Sequence, residues 1–185
     1  KMLYKFTSKS RLLAIGLILL LALGVAGCGK KGGTDQEGSS QGPSANPSPE
    51  KVTLYFGDRE AMYLLPEERE VVKGDDSLAV VVIEELIKGP QNTSAVRTIP
   101  EGSKLLSVSV EDTVAYVNFS KEFQTKHWGG SAGESMTLYS IVNSLAKLPE
   151  IDKGQFLLEG NKEESILGHA DTTVPIEPNW DLVAK

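Results

Sequence analysis

The chain has 185 residues, of which 25 are acidic and 19 basic, giving a formal net charge of −6, and it contains a single cysteine. An acidic balance offers no basic patch to release counterions from phosphates, which excludes nucleic acid and an anionic lipid surface as partners held by charge. One cysteine also excludes an intrachain disulfide and a thiol-rich metal site.

The first eleven residues carry Lys1, Lys5, Lys9 and Arg11 and no acid, and Leu12 to Ala26 is a run of fifteen apolar or small residues. This is the basic and apolar pairing of an export signal, and the run is shorter than the roughly 20 residues a helix needs to cross about 30 Å of hydrocarbon. It ends in Val25-Ala26-Gly27-Cys28, small residues ahead of a cysteine, which is the pattern of a lipobox. Residues 1–27 are therefore expected to be a lipoprotein signal peptide, and Cys28 the lipidated first residue of the mature protein, carrying acyl chains such as palmitate. Loss of the leader removes four basic residues and no acid, so the formal charge falls from −6 to −10. The lipid must then hold the protein to the extracytoplasmic face of the cell membrane, and stable anchoring takes more than one acyl chain.

Gly29 to Pro49 has no branched aliphatic and no aromatic residue and cannot bury a core, so residues 28–50 read as the lipidated cysteine and a disordered tether. Apolar patterning returns from Lys51 and defines one domain over 51–182. Val52, Leu54 and Phe56 alternate with polar or aromatic neighbours and close at Gly57-Asp58, which predicts a half-buried strand. A short strand is expected over Met62 to Leu65, stopped by Pro66, with Val71 and Val72 as a further edge piece. Ala79, Val82, Ile83, Leu86 and Ile87 mark one helical face between a cap at Asp76 or Ser77 and a stop at Gly89-Pro90, with Glu84 and Lys88 as an exposed pair.

Leu106, Val108 and Val110, and after the Glu111-Asp112-Thr113 turn Ala115, Val117 and Phe119, predict a hairpin with one buried face. Ser120 to Thr125 reads as a helical turn, and Leu138, Ile141, Val142, Leu145 and Leu148 as the apolar stripe of the longest helix, ended by Pro149. A final strand is expected over Gln155 to Glu159, before a tail, Gly168 to Trp180, punctuated by proline. Together these elements predict an α+β fold, a small mixed β-sheet with two amphipathic helices on one face.

The blocks Tyr55-Phe56-Gly57-Asp58, Tyr63-Leu64, Glu85 to Pro90, Ile99 to Val108, Tyr139 to Leu145 and Phe156 to Gly160, in this order, resemble the sporulation and spore germination domain called GerMN. The resemblance spans Val52 to Trp180. It implies an exported envelope domain with no known enzymatic chemistry, a fold similar to the ring-building motif, and partners among envelope or sporulation proteins, self-association included. Three positions depart from the family pattern: Asp112-Thr113 at a turn where Asp-Gly is usual, Ser144 in place of threonine, and Gly154 in place of a β-branched residue.

The site-like features have plain readings. His127 and His169 are the only histidines, short of the three or four ligands of a zinc site, and the acidic runs at Glu67-Glu68, Asp75-Asp76 and Glu163-Glu164 lack the spacing of a calcium loop. No metal and no cofactor is expected. Gly129-Gly130-Ser131-Ala132-Gly133 matches the nucleophile elbow of esterase-like hydrolases, with Asp152 and His169 following in order. Its upstream residues are polar and loop-like, and Ser131 with Glu134 reads instead as a helix capping box. Tyr55, Tyr63 and Tyr116, on faces opposite the apolar ones, and Trp128 beside its glycines form the expected partner surface. The function predicted is a membrane-anchored, non-enzymatic interaction or scaffold lipoprotein of sporulation or germination. The alternatives are a ligand-binding lipoprotein, for peptidoglycan or a small solute, and the hydrolase.

Overall fold

The computed structural model describes residues 48–166 and 168–185. The leader, Cys28 and nearly all of the expected tether lie outside the described residues. Elements follow in the order β1 (Glu50–Gly57), β2 (Leu64–Val71), α1 (Leu78–Lys88), β3 (Leu105–Glu111), β4 (Val114–Phe119), α2 (Glu122–Thr125), α3 (Gly130–Leu145), β5 (Lys153–Leu158) and a 3-10 turn at Trp180–Leu182. They form an α+β domain.

The strands divide between two sheets. β1 and β2 form an antiparallel pair, while β3, β4 and β5 form a mixed sheet with β3 antiparallel and β5 parallel to β4. The first hairpin stands apart because the second edge of β1 is given to a helix. The Tyr55 amide donates to Ser144 Oγ at 2.9 Å, Ser140 Oγ donates to the Tyr55 carbonyl, and the Val96 amide donates to the Gly57 carbonyl at 2.7 Å. α3 thus packs against both β1 and β5, and α1 packs against α3, β1 and β3.

Local chemistry explains where sequence expectation and structure differ. β2 runs through Pro66, opposite Tyr55, and takes in Val71, so the expected stop and the separate edge piece are one strand. An edge strand tolerates proline, since the missing N–H need not face a neighbour. β5 begins at Lys153, two residues early, and Gly154 belongs to it. A Cβ on Gly154 would lie 2.9 Å from Val142 Cγ2, so α3 crosses the sheet too closely for the β-branched residue that is usual there.

α1 forms as its spacing predicts, but α3 ends at Leu145, short of Leu148 and the expected stop at Pro149. The expected buried face of β3 holds only in part, since Leu106 falls in a bulge and both it and Val110 are largely exposed. Ser77 caps α1 by accepting from the Val80 amide at 3.3 Å, and Gly89 ends it with φ +90°. Lys88 pairs with Glu85, three residues before it on the helix, at 2.5 Å rather than with the expected Glu84. Leu54, Phe56, Ile83, Leu86, Phe119, Phe123, Ile141, Leu145 and Phe156 are fully buried, with the Phe119 and Phe123 rings stacked at 4.2 Å. Each such side chain contributes roughly 1.5–3 kcal/mol by leaving water.

Candidate functional site

α3 is buried on more than its apolar stripe. Glu134, Thr137, Ser140, Asn143 and Ser144 are buried along with Leu138, Ile141, Val142 and Leu145. Burying polar groups is costly unless they are bonded, and these bond to the main chain of neighbouring elements. Ser140 and Ser144 hold β1 as above. Thr137 Oγ1 lies 2.7 Å from the Thr98 carbonyl and 2.8 Å from His127 Nε2. Asn143 exchanges two bonds with Asn179, donating to its carbonyl at 2.8 Å and accepting from its amide at 2.9 Å. Glu134 accepts from Ser165 Oγ at 3.0 Å and from the His169 amide at 3.1 Å.

The residues of the esterase-like motif are accordingly spent or misplaced for hydrolysis. Ser131 lies exposed inside the first turn of α3, which follows α2 and a loop rather than a strand. The N-cap is Gly129 with φ +87°, and no side chain caps the helix, so the expected Ser131–Glu134 capping box is not formed. The helix starts two residues earlier than that box requires, and Glu134 turns inward to hold the 165–169 segment. The last glycine of the motif is required sterically, since a Cβ on Gly133 would lie 2.3 Å from the Trp128 carbonyl oxygen. Asp152 is exposed, its amide donating to the Thr113 carbonyl at 2.8 Å, and His169 is an exposed loop residue.

His127 is half-buried. Burial pushes its imidazole below the ordinary histidine range, only partly opposed by the Trp128 main chain and the Glu134 charge. The neutral ring donates from Nε2 to Thr137 Oγ1, whose own proton goes to a carbonyl. Among the described residues no three His, Cys, Asp or Glu side chains come together as a metal site. Glu67 is already taken by Arg69 at 2.5 Å and by the Gln91 and Asn92 amides, and Glu68 by Lys51 at 2.5 Å.

The expected partner surface is not one surface. Tyr55 is 5 % exposed, covered by the C-terminal tail with Trp180 edge-on at 6.0 Å, and burial raises its phenol above the usual tyrosine range. Both faces of β1 are covered from Leu54 to Gly57, so alternation alone misplaced it outside. Tyr63 is 47 % exposed and borders a groove with Asp181 and Val183. Tyr116 sits in mid-sheet between Ser109 and Gln155. Trp128 is 50 % exposed and walls an open groove of about 580 Å³ with Arg97, Glu101 and Lys126. A tighter cleft between His127, Trp128 and Gly57 holds only about 50 Å³, far below the several hundred Å³ of a small-molecule site.

Sequence reading missed the polar seam on α3. Its signal was there in Thr137, Ser140 and Ser144, spaced by three and four on one helical face, but hydroxyls at that spacing do not reveal whether they face water or main chain.

The family model for sporulation and spore germination, Germane, matches residues 53–164. Among solved structures, a candidate lipoprotein from Clostridium perfringens is similar at 29% identity and a TM-score of 0.51, covering 70% of this chain and 88% of its own. The tandem GerMN domains of the sporulation protein GerM from Bacillus subtilis align at 20% identity and a TM-score of 0.61, over 79% of this chain and 51% of theirs. The first of those domains alone gives 19% identity and a TM-score of 0.54, over 74% and 98%. No curated protein sequence matches the chain.

Proposed function

Since the chain belongs to the Germane family of sporulation and spore germination domains, we propose that it is a lipid-anchored, non-enzymatic interaction protein of the cell envelope, acting in sporulation or germination. The observation that carries this reading is the polar seam of α3: the side chains best suited to chemistry hold neighbouring main chain instead of converging on a cavity. The leader, the lipobox at Cys28 and the resemblance to a candidate lipoprotein support the anchor and the extracytoplasmic address. Partners are then recognised by exposed surface, with Tyr63 and Trp128 available, Tyr116 half-buried and Tyr55 excluded.

Crosslinking in intact cells, compared between growing and sporulating cultures, tests the role. Enrichment of envelope or sporulation proteins is the expected outcome; recovery of transporter permeases instead would refute it. Labelled fatty acid entering the protein but not its Cys28→Ser variant tests the anchor. A second reading, binding of a peptidoglycan glycan, is favoured by the half-exposed Trp128 ring beside Arg97 and Lys126, since aromatic faces stack on sugars. Pull-down on isolated cell wall, lost in Trp128→Ala, checks it.

A further inference from the structure

An exposed sheet edge presents unpaired N–H and C=O groups, and proteins cover or charge such edges to prevent pairing. Three of the four edges among the described residues are managed. That of β1 is bonded by Ser140, Ser144 and Val96. At its start, the edge of β2 is met by the tail, with the Ala184 amide on the Leu64 carbonyl at 3.0 Å, and beyond that it carries Pro66, Glu67, Glu68, Arg69 and Glu70. At β5 the edge exchanges two bonds with Ile176 through Gly154, at 2.9 and 2.8 Å. The fourth edge, on β3, has no such protection.

β3 reads Leu-Leu-Ser-Val-Ser-Val-Glu, without proline or lysine and with one charge at its last residue. It pairs with β4 on one side, and no strand or bridge among the described residues meets the other. Leu106 and Val110 are 47 % and 39 % exposed there. The flanking residues Lys104 and Asp112 are exposed and of opposite charge.

We propose that this edge pairs with the same edge of a second copy, antiparallel about a two-fold axis at Val108. In the straight stretch from Ser107 to Glu111 that register sets Ser107 opposite the partner's Ser109 and Val108 opposite the partner's Val108. The bulge between Leu105 and Ser107 makes Leu106 an extra residue, so beyond it the register advances by one, with Leu105 opposite the partner's Val110 and Lys104 opposite the partner's Glu111. Apolar meets apolar and positive meets negative twice over. A register centred on Ser109 would put Ser107 against Glu111 and Leu105 against Asp112 and lose both matches. The contact is isologous, so it uses up the edge on both copies and closes at a dimer rather than propagating. It is independent of the anchor and of the sporulation role.

The test uses the chain without residues 1–27 and with Cys28→Ser, since the whole core lies within the described domain. Ser107→Cys and Ser109→Cys are introduced in separate preparations. Both positions are exposed. Directly opposed Cβ atoms lie about 4.5–5.5 Å apart, against about 7–8 Å for diagonal neighbours, and a disulfide needs them near 4 Å. Under mild oxidation the mixture should therefore form linked dimer about tenfold more than either preparation alone. Sedimentation should show a concentration-dependent dimer for the parent chain, lost in Val110→Lys with its circular dichroism spectrum unchanged. A monomer at every concentration would overturn the proposal, including the case where this edge takes a strand from a different protein. Linking by Ser109→Cys alone would overturn the register.

Discussion

The hairpin turn between β3 and β4 concentrates backbone strain in two residues. Asp112 and Thr113 both have positive φ, +49° and +64°, the geometry of a two-residue hairpin that favours Asn-Gly or Asp-Gly. Aspartate tolerates it, but a β-branched threonine is out of place. Thr113→Gly should raise stability by about 1 kcal/mol in urea denaturation, the relief of strain outweighing glycine's greater freedom when unfolded. Two serines on α3 give the opposite contrast. Ser140→Ala strands the buried Tyr55 carbonyl and should cost about 1–3 kcal/mol. Exposed Ser131→Ala, with no cap to lose, should stay within about 0.5 kcal/mol.

At the scale of elements, one ion cluster ties β2 to the end of α1. Arg69 is buried between Glu67 and Glu85, donates to the Gly89 carbonyl at 2.6 Å and stands 5.3 Å over the Phe56 ring. Burial pushes both carboxyls up. The Asn92 and Gln91 amides with Arg69 more than offset this at Glu67, as Lys88 with Arg69 does at Glu85, so both end below the ordinary carboxylate range. A carboxyl with a depressed folded pKa binds fewer protons folded than unfolded at mildly acid pH. Its stabilisation is complete above the unfolded value of about 4.3 and is lost as pH falls through the folded value. The share held by Glu67 and Glu85 should thus be level down to about pH 5 and fall below about pH 4, whereas His127, held below its ordinary value by burial, costs stability as pH falls below about 6.5. Arg69→Met removes the buried cation from two largely buried carboxylates, leaving Glu67 to the Gln91 and Asn92 amides and Glu85 to Lys88, and should cost about 3 kcal/mol at neutral pH. Much of that deficit should close on acidification, a trend that urea titrations from neutral to acid pH would reveal.

For the whole molecule, the C-terminal tail links the two sheets across α3. Ile176 bonds to β5, Asn179 is clamped by Asn143, Trp180 lies against Tyr55 with Lys147 Nζ 5.6 Å from its ring, and Ala184 bonds to β2. It closes a small second core of Tyr55, Leu64 and Met136. Ending the chain after Glu177 should leave the main core folded but uncover this cluster, with a loss on the order of 3 kcal/mol. Tyr55 should then titrate nearer its ordinary value, which ultraviolet absorbance at alkaline pH would follow.

What the sequence determined by itself is what local periodicity and end chemistry can carry. The α1 face, the β3–β4 turn and the apolar stripe from Leu138 to Leu145 follow from spacing, because a side chain's facing is set by its own helix or strand, while the family resemblance rests on the order of its residue blocks. Spacing misled at Leu148, beyond the end of α3, and at Leu106 and Val110, which are largely exposed. Only the tertiary structure decided what the second edge of β1 meets, why Pro66 stays within a strand, why position 154 must be glycine, and that Tyr55 is inside. Each of these depends on an element far away in the chain, such as Ser144 for the Tyr55 amide and Val142 for Gly154. A hydroxyl or an aromatic ring in sequence has the same propensity whether it faces solvent or another main chain, and that choice is made when distant elements pack.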